Sequence, residues 1–197
     1  MMFKKALIIG AISSVASFTL SAEEAALSYT YAGVGYSNGD IADVDFSGFG
    51  FYGSVALNDS FFLLGEYSSI ESDDKFDIGS SIDEIEATGF SFGVGFHTPI
   101  NPTIDFVSSL SYADVELESS DVSEDGNGYI LAAGVRAKPS DVLELSALID
   151  YADIEDGSET GYSLSARYYA TQAVSLGLGY GSSDDFDAIS FDVRFDL

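Results

Sequence analysis

The sequence predicts an all-β fold, a transmembrane, antiparallel, up-and-down β-barrel of ten strands. Three observations carry that expectation. Apolar residues recur at every second position, the spacing of a strand with one apolar face. The connections between these runs alternate strictly between short turns and longer acidic segments. The face opposite the apolar one is made mostly of small residues, as the crowded inside of a narrow barrel requires.

The alternation is plain in Phe49, Phe51, Val55 and Leu57, in Phe90, Phe92, Val94 and Phe96, and in Tyr129, Leu131, Ala133 and Val135. It returns in Leu143, Leu145, Ala147, Ile149 and Tyr151, in Tyr162, Leu164, Ala166 and Tyr168, and in Val174, Leu176, Leu178 and Tyr180. Extended over the chain, it places strands at 26–36, 46–57, 61–70, 87–97, 103–114, 128–138, 142–153, 161–169, 174–181 and 188–197. Eight strands is the alternative count. In the first strand, Leu27, Tyr29 and Tyr31 set one parity and Val34 and Tyr36 the other, which predicts a bulge or a kink at Gly33.

The short connections are 58–60, 98–102, 139–141 and 170–173, and they hold all three prolines, Pro99, Pro102 and Pro139. A missing N–H there costs no ladder bond. The long ones are 37–45, 71–86, 114–127, 153–160 and 182–187, and they carry most of the acids. Short turns at one end and long loops at the other are the layout of an outer-membrane barrel, with the long loops outside the cell. Each strand descending from a long loop tends to begin alike, with Gly48-Phe49 returning as Gly89-Phe90, Gly128-Tyr129 and Gly161-Tyr162.

A soluble β-sandwich also alternates. Against it stand the small residues opposite the apolar face, such as Ser175, Gly177, Gly179 and Gly181, or Gly89, Ser91, Gly93 and Gly95. Tyr67, Tyr112, Tyr151, Tyr168 and Tyr180 lie near strand ends, where interfacial aromatic girdles sit. The last strand is apolar at Ile189, Phe191, Val193, Phe195 and Leu197 and resembles the terminal signal read by barrel-assembly machinery, with Leu197 where an aromatic residue is usual.

Ahead of the barrel, residues 1–22 read as a secretory signal peptide. Lys4 and Lys5 precede the apolar stretch from Ala6 to Ala16, and Ser21-Ala22 offers a cleavage site. The domain expectation is therefore a signal peptide at 1–22 and a barrel at 23–197, exported to a Gram-negative outer membrane. The chain has no cysteine, hence no disulfide, thiol nucleophile or thiolate metal site. All 33 acidic residues follow residue 22, against five basic ones, Lys75, Arg136, Lys138, Arg167 and Arg194. Such a field repels phosphate backbones and excludes nucleic acid as a partner.

The runs Gly53-Ser54-Val55-Ala56-Leu57-Asn58-Asp59, Gly93-Val94-Gly95-Phe96-His97-Thr98-Pro99, Arg167-Tyr168-Tyr169 and Ser175-Leu176-Gly177-Leu178-Gly179-Tyr180 resemble a family of small porin-like outer-membrane barrels with relatives in xanthomonads and marine proteobacteria. The resemblance implies fold and location. It implies no settled activity.

Chemistry has few places to reside. His97, the one histidine, precedes a short turn and points inward, and a lone histidine cannot build the paired acid–base sites of barrel enzymes, so no enzyme activity and no cofactor is expected. Asp125-Gly126-Asn127-Gly128 and the pair Asp43 and Asp45 are fragments of calcium loops without the full ligand spacing. Diffuse attraction of divalent cations to the acidic loops, shared with lipopolysaccharide, fits better. The most specific feature is charge on the inward parity: Arg136, Lys138, Arg167 and Arg194 with Glu66, Asp105, Glu144, Asp150 and Asp192. Arg136 is expected to face Glu144 across the Pro139 turn, Arg167 to lie diagonal to Glu144, and Lys138 to approach Asp105. This set predicts a lumen charge network that either fixes register or forms a constriction. Tyr52, Phe62, Leu64, Leu148 and Tyr169 also point inward and are candidate plugs. The expected role is passive, porin-like or envelope-structural. The alternative is a surface-interaction or adhesion protein that binds cations or a partner through its acidic loops.

Overall fold

A computed structural model describes residues 27–41, 44–72, 76–77, 82–83, 85–119, 122–155, 157–184 and 186–197. The expected signal peptide lies outside the described residues. The strands are β1 (Tyr31–Ile41), β2 (Val44–Ala56), β3 (Phe61–Ser72), β4 (Phe76–Asp77), β5 (Ile82–Asp83), β6 (Glu86–Asn101), β7 (Ile104–Ser119), β8 (Val122–Ser140), β9 (Leu143–Ile154), β10 (Gly157–Tyr169), β11 (Val174–Ser182) and β12 (Phe186–Asp196). Ten of them close into a barrel in the order β1-β12-β11-β10-β9-β8-β7-β6-β3-β2. The two-residue strands β4 and β5, within the connection from β3 to β6, pair with each other and with no other strand among the described residues.

Closure is made by β1 against β12, antiparallel and unbroken from Tyr31↔Asp196 to Ile41↔Phe186. On its other side β1 pairs β2 with equal regularity, so the expected bulge or kink at Gly33 is absent. Tyr31 is buried and Tyr36 exposed, which a single parity accommodates once the tyrosine is read as lumen-facing. The strand starts at Tyr31 rather than at residue 26. Register irregularities occur instead between Pro99 and Asn101 and between Ala137 and Ser140, where β6 and β8 run on through a proline beside a short turn. Short polar side chains hold these turns: Asn58 Oδ1 accepts from the amides of Ser60 and Phe61, both at 3.0 Å, and Thr171 Oγ1 accepts from Val174 at 3.0 Å.

Three of the five expected long loops, 37–45, 114–127 and 153–160, are mostly strand. β1 and β2 pair up to Ile41↔Val44, β7 and β8 up to Ser119↔Val122, and β9 and β10 up to Ile154↔Gly157, so the ladders run through most of these segments. The reason is a change of surroundings along each strand. In the middle of β7, Leu110 and Tyr112 face out while Ser109 and Ser111 face in; further up, Ala113, Val115 and Leu117 are buried inside and Asp114, Glu116 and Glu118 are exposed. β2 does the same with Phe46 inside and Phe49 outside, and β12 with Phe186 and Ala188 inside and Ile189 and Phe191 outside. Apolar residues seek the hydrocarbon where it surrounds the barrel and the interior where water does. No bulge is needed, because the chemistry changes faces while the backbone keeps its register.

Outward tyrosines mark the level of the switch. Tyr112 donates to Asp114 at 3.4 Å, Tyr129 and Tyr151 both to Asp153 at 3.2 Å, and Tyr180 to Asp187 at 2.5 Å. Each ring lies against the apolar band while its hydroxyl reaches a carboxylate above it, as an interfacial girdle requires.

The face switch makes neighbouring residues on β7 unequal. Val115→Asp would bury a carboxylate among apolar side chains and should cost about 3 kcal/mol or more. Glu116→Gln, one position away and exposed, should stay within about 0.5 kcal/mol. Urea unfolding of the lipid-reconstituted barrel, followed by its gel-mobility shift, measures both.

Candidate functional site

The lumen is the place where this chain concentrates buried charge. At the short-turn end, alternate residues of β7 to β12 aim Asp105, Arg136, Lys138, Glu144, Arg167, Asp192, Arg194 and Asp196 inward. Arg136 and Arg194 are wholly buried. Charges this long fit inside because the lipid face would charge about 2–4 kcal/mol for each near the midplane.

Glu144 is the hub. Arg136 pairs with its Oε1, Tyr169 donates to its Oε2 at 2.6 Å, and Arg194 lies 3.6 Å from the same oxygen. Arg194 also meets Asp196 at 3.1 Å and donates to the Tyr169 hydroxyl at 2.5 Å. Both guanidinium groups also lie over aromatic rings, Arg136 5.6 Å from Tyr29 and Arg194 5.2 Å from Tyr31, while Arg136 Nε and Nη1 and Arg194 Nη1 find no hydrogen-bond partner among the described residues.

The partner of Arg167 differs from the expected one. Arg167 is directly opposite Glu144 in register, not diagonal, yet its guanidinium turns the other way and binds Asp192 at 2.5 Å, with Tyr52 also donating to that carboxylate. Gly177 permits this. It sits in register between Arg167 and Asp192, and a Cβ there would collide with Asp192 Oδ2. The expected approach of Lys138 to Asp105 is also replaced. Asp105 accepts from Tyr29 at 3.1 Å and lies 3.3 Å from His97 Nδ1, while the Lys138 ammonium sits 4.3 Å over the Tyr169 ring. Asp105 is directly opposite Arg136 in register, whereas the Lys138 amide donates to the Thr103 carbonyl at 2.8 Å, one inward position away from that carboxylate.

The remaining predicted acids lie apart from this cluster. Glu66 and Asp150 face the lumen on β3 and β9 and carry no ion pair among the described residues; Glu66 Oε1 is buried without a hydrogen-bond partner. Around them the inward residues are small: Ser91 and Gly93, Ser109 and Ser111, Ala132 and Gly134, Ser163 and Ser165.

Two features of the lumen were not foreseen from sequence. The first is its closure at the long-loop end, where Val44, Phe46, Ile70, Ala87, Ala113, Val115, Leu117, Ala152, Ile154, Phe186 and Ala188 pack into one buried apolar cluster. Its signal lies in the apolar residues on the inward parity of the segments 37–45, 114–127, 153–160 and 182–187. The second is the approach of the chain to β1. Leu27, Ser28 and Tyr29 are all buried, and Tyr29 stacks on Phe62 with centroids 4.6 Å apart and on His97 at 3.6 Å. The Ser54 hydroxyl donates to the Tyr29 carbonyl at 2.9 Å, and the Leu197 amide to that of Thr30 at 3.0 Å. The inward aromatic and aliphatic residues join this stopper: Phe62, Leu148 and, partly buried, Leu64 with Tyr29, and Tyr52 with Tyr31.

Glu144→Ala would leave the buried Arg136 guanidinium without its carboxylate and should destabilise the barrel by about 3–5 kcal/mol, whereas Arg136→Met combined with Glu144→Leu should recover most of that. Glu66→Leu should instead raise stability, by about 1 kcal/mol or more, because it removes an unpartnered carboxylate from the interior. The same urea titrations separate the three, and a loss of stability in Glu66→Leu would contradict the assignment of Glu66 as unpaired.

Comparison with known proteins agrees with this architecture. The sequence matches the outer membrane protein beta-barrel domain family over residues 9–181. Among solved structures, the NanC porin is similar with a TM-score of 0.52 at 9% identity, over 84% of this chain and 100% of that one. An outer-membrane channel from Pseudomonas putida F1 aligns over 94% of this chain and 98% of its own, with a TM-score of 0.47 and 9% identity. The N-terminal β-barrel domain of Pseudomonas aeruginosa OprF aligns over 84% and 98%, with a TM-score of 0.44 and 13% identity. No curated protein matches the sequence. The match of the family across most of the chain, on a closed ten-stranded barrel with an apolar belt, makes this chain a member of the outer membrane protein beta-barrel domain family.

Proposed function

We propose that this small outer-membrane barrel is an envelope-structural protein whose lumen does not conduct solutes. The observation that supports it is the filling of the lumen at two levels by unlike chemistry. At the long-loop end the plug is apolar, with Val115, Ala113 and Ala87 fully buried. At the short-turn end it is ionic and aromatic, with Arg136 and Arg194 at 0% exposure, Phe62 at 1% and Tyr29 at 2%. A porin needs a hydrated path between polar walls. Here an ion would have to displace a packed apolar layer and then break the pairs around Glu144.

The reading as a non-enzyme rests on the same interior. His97 is held between Tyr29 and Asp105 at the periplasmic end, facing away from the outer rim where lipid and external substrates arrive. The partners that fit are outer-membrane lipid and lipopolysaccharide on the apolar belt, barrel-assembly machinery at the outward face of β12, and divalent cations near the acidic rim. Residues 1–22 would serve as the export signal.

A second reading, surface interaction, is favoured by one observation. The β7–β8 hairpin stands above the turn from β9 to β10 and exposes Asp114, Glu116, Glu118 and Asp125.

Planar-bilayer recordings on the folded barrel test the first reading. The expected trace is flat, with no discrete openings at moderate voltage, and liposomes loaded with small sugars should not swell. Steady single-channel steps that change in Glu144→Ala would sink it and restore the pore.

A further inference from the structure

We propose that the free edge of β8 at the outer rim is a docking site for an extended cationic polypeptide segment, which adds to the barrel wall as one more strand. The inference rests on the second reading above and gives it a location and a partner chemistry.

The edge follows from the register. β8 pairs with β7 from Val122 onward, but its ladder with β9 begins only at Gly128↔Ile154. The Glu155 amide then donates to the Asn127 carbonyl at 3.2 Å, and the chain turns away into β10. Backbone groups on a strand point to alternate sides, so the groups of Asp125 and Ser123 point the same way as the Asn127 carbonyl. Nothing among the described residues pairs with them. Open edges in sheets recruit strands through main-chain hydrogen bonds.

Charge selects the occupant. Directly opposed cross-strand positions on the outward face repeat one sign: Glu71↔Glu86, Glu86↔Glu118 and Glu116↔Asp125. Like charges opposite each other destabilise a sheet. A strand carrying lysine or arginine on its outward face would relieve that repulsion while pairing its backbone with Ser123 and Asp125. An acidic or neutral strand would not. The edge lies in water above the tyrosine level, so a soluble segment can reach it.

The probe is a fluorescent nonapeptide alternating lysine and threonine, titrated onto the full-length folded barrel in nanodiscs at low salt. Saturable binding is expected, with slowed hydrogen exchange at the Ser123 and Asp125 amides. Ser123→Pro removes one outward N–H and costs no bond to β7, and it should weaken binding tenfold or more. Glu116→Gln should weaken it severalfold and flatten its salt dependence. Equal affinity for Ser123→Pro would mean that charge alone holds the peptide, and this overturns the proposal. So does the absence of saturation, or binding that leaves exchange at the two amides unchanged. Should Ser123→Pro fail to fold, the exchange measurement on the unaltered chain decides alone. A flat bilayer trace alongside failed binding leaves the structural reading standing and removes only this one.

Discussion

A backbone that crosses hydrocarbon has no water to satisfy its N–H and C=O groups, so each must be paired within the protein. In this chain that constraint is met by one seam, β1 against β12, running without interruption from Tyr31 to Ile41. Everything else is conditional on it. Once the seam is closed, ten strands fix a cylinder with an inside and an outside, and each residue is committed to one or the other by its position alone. The side chains then choose only how to use the face they have been given.

That choice depends on the medium outside, which changes along the strand. In the hydrocarbon layer the outward face takes Phe, Leu, Val and Tyr, and the inward face must be small because ten strands leave little room. Above the tyrosine girdle the same outward face meets water and turns acidic, and the apolar residues move inside. A soluble barrel is thus stacked on a membrane barrel with one continuous ladder through both. The hairpin of β7 and β8 carries this furthest, with Val115 and Leu117 inside and Glu116 and Glu118 outside in one uninterrupted run.

This explains how much could be read in advance. Period, turn lengths and proline positions specify the ten strands, their order and the inward parity of Arg136, Glu144, Arg167 and Asp192. They do not specify the ends of the strands, because acids alternating with apolar residues read as loops when the apolar parity reverses midway. For the same reason Leu27, Tyr29 and Tyr31 read as a defect in the first strand, when tyrosines on the lumen parity simply have partners there. Pairings within the charged cluster were legible only where a turn brings neighbours together, as for Arg136 and Glu144. The pair of Arg167 with Asp192 spans an intervening strand and depends on the missing side chain of Gly177, a three-body arrangement that no pairwise rule contains.

The two fillings of the lumen constrain the fold differently. The apolar cluster near the rim is non-directional, so its residues can be exchanged for others of similar volume with modest loss. The layer around Glu144 is directional: it joins β8, β9, β10 and β12 through charges that cost several kcal/mol each if left unpaired. A slip of one residue in any of those strands would turn a buried cation to the lipid. The ionic layer therefore penalises wrong registers far more than it stabilises the right one. It also lies at the end where the strands are joined by short turns, next to the stopper formed by Tyr29 and beside the β1–β12 seam. Its position allows it to specify the closure on which the rest depends, while the rim above remains free to vary in length and charge.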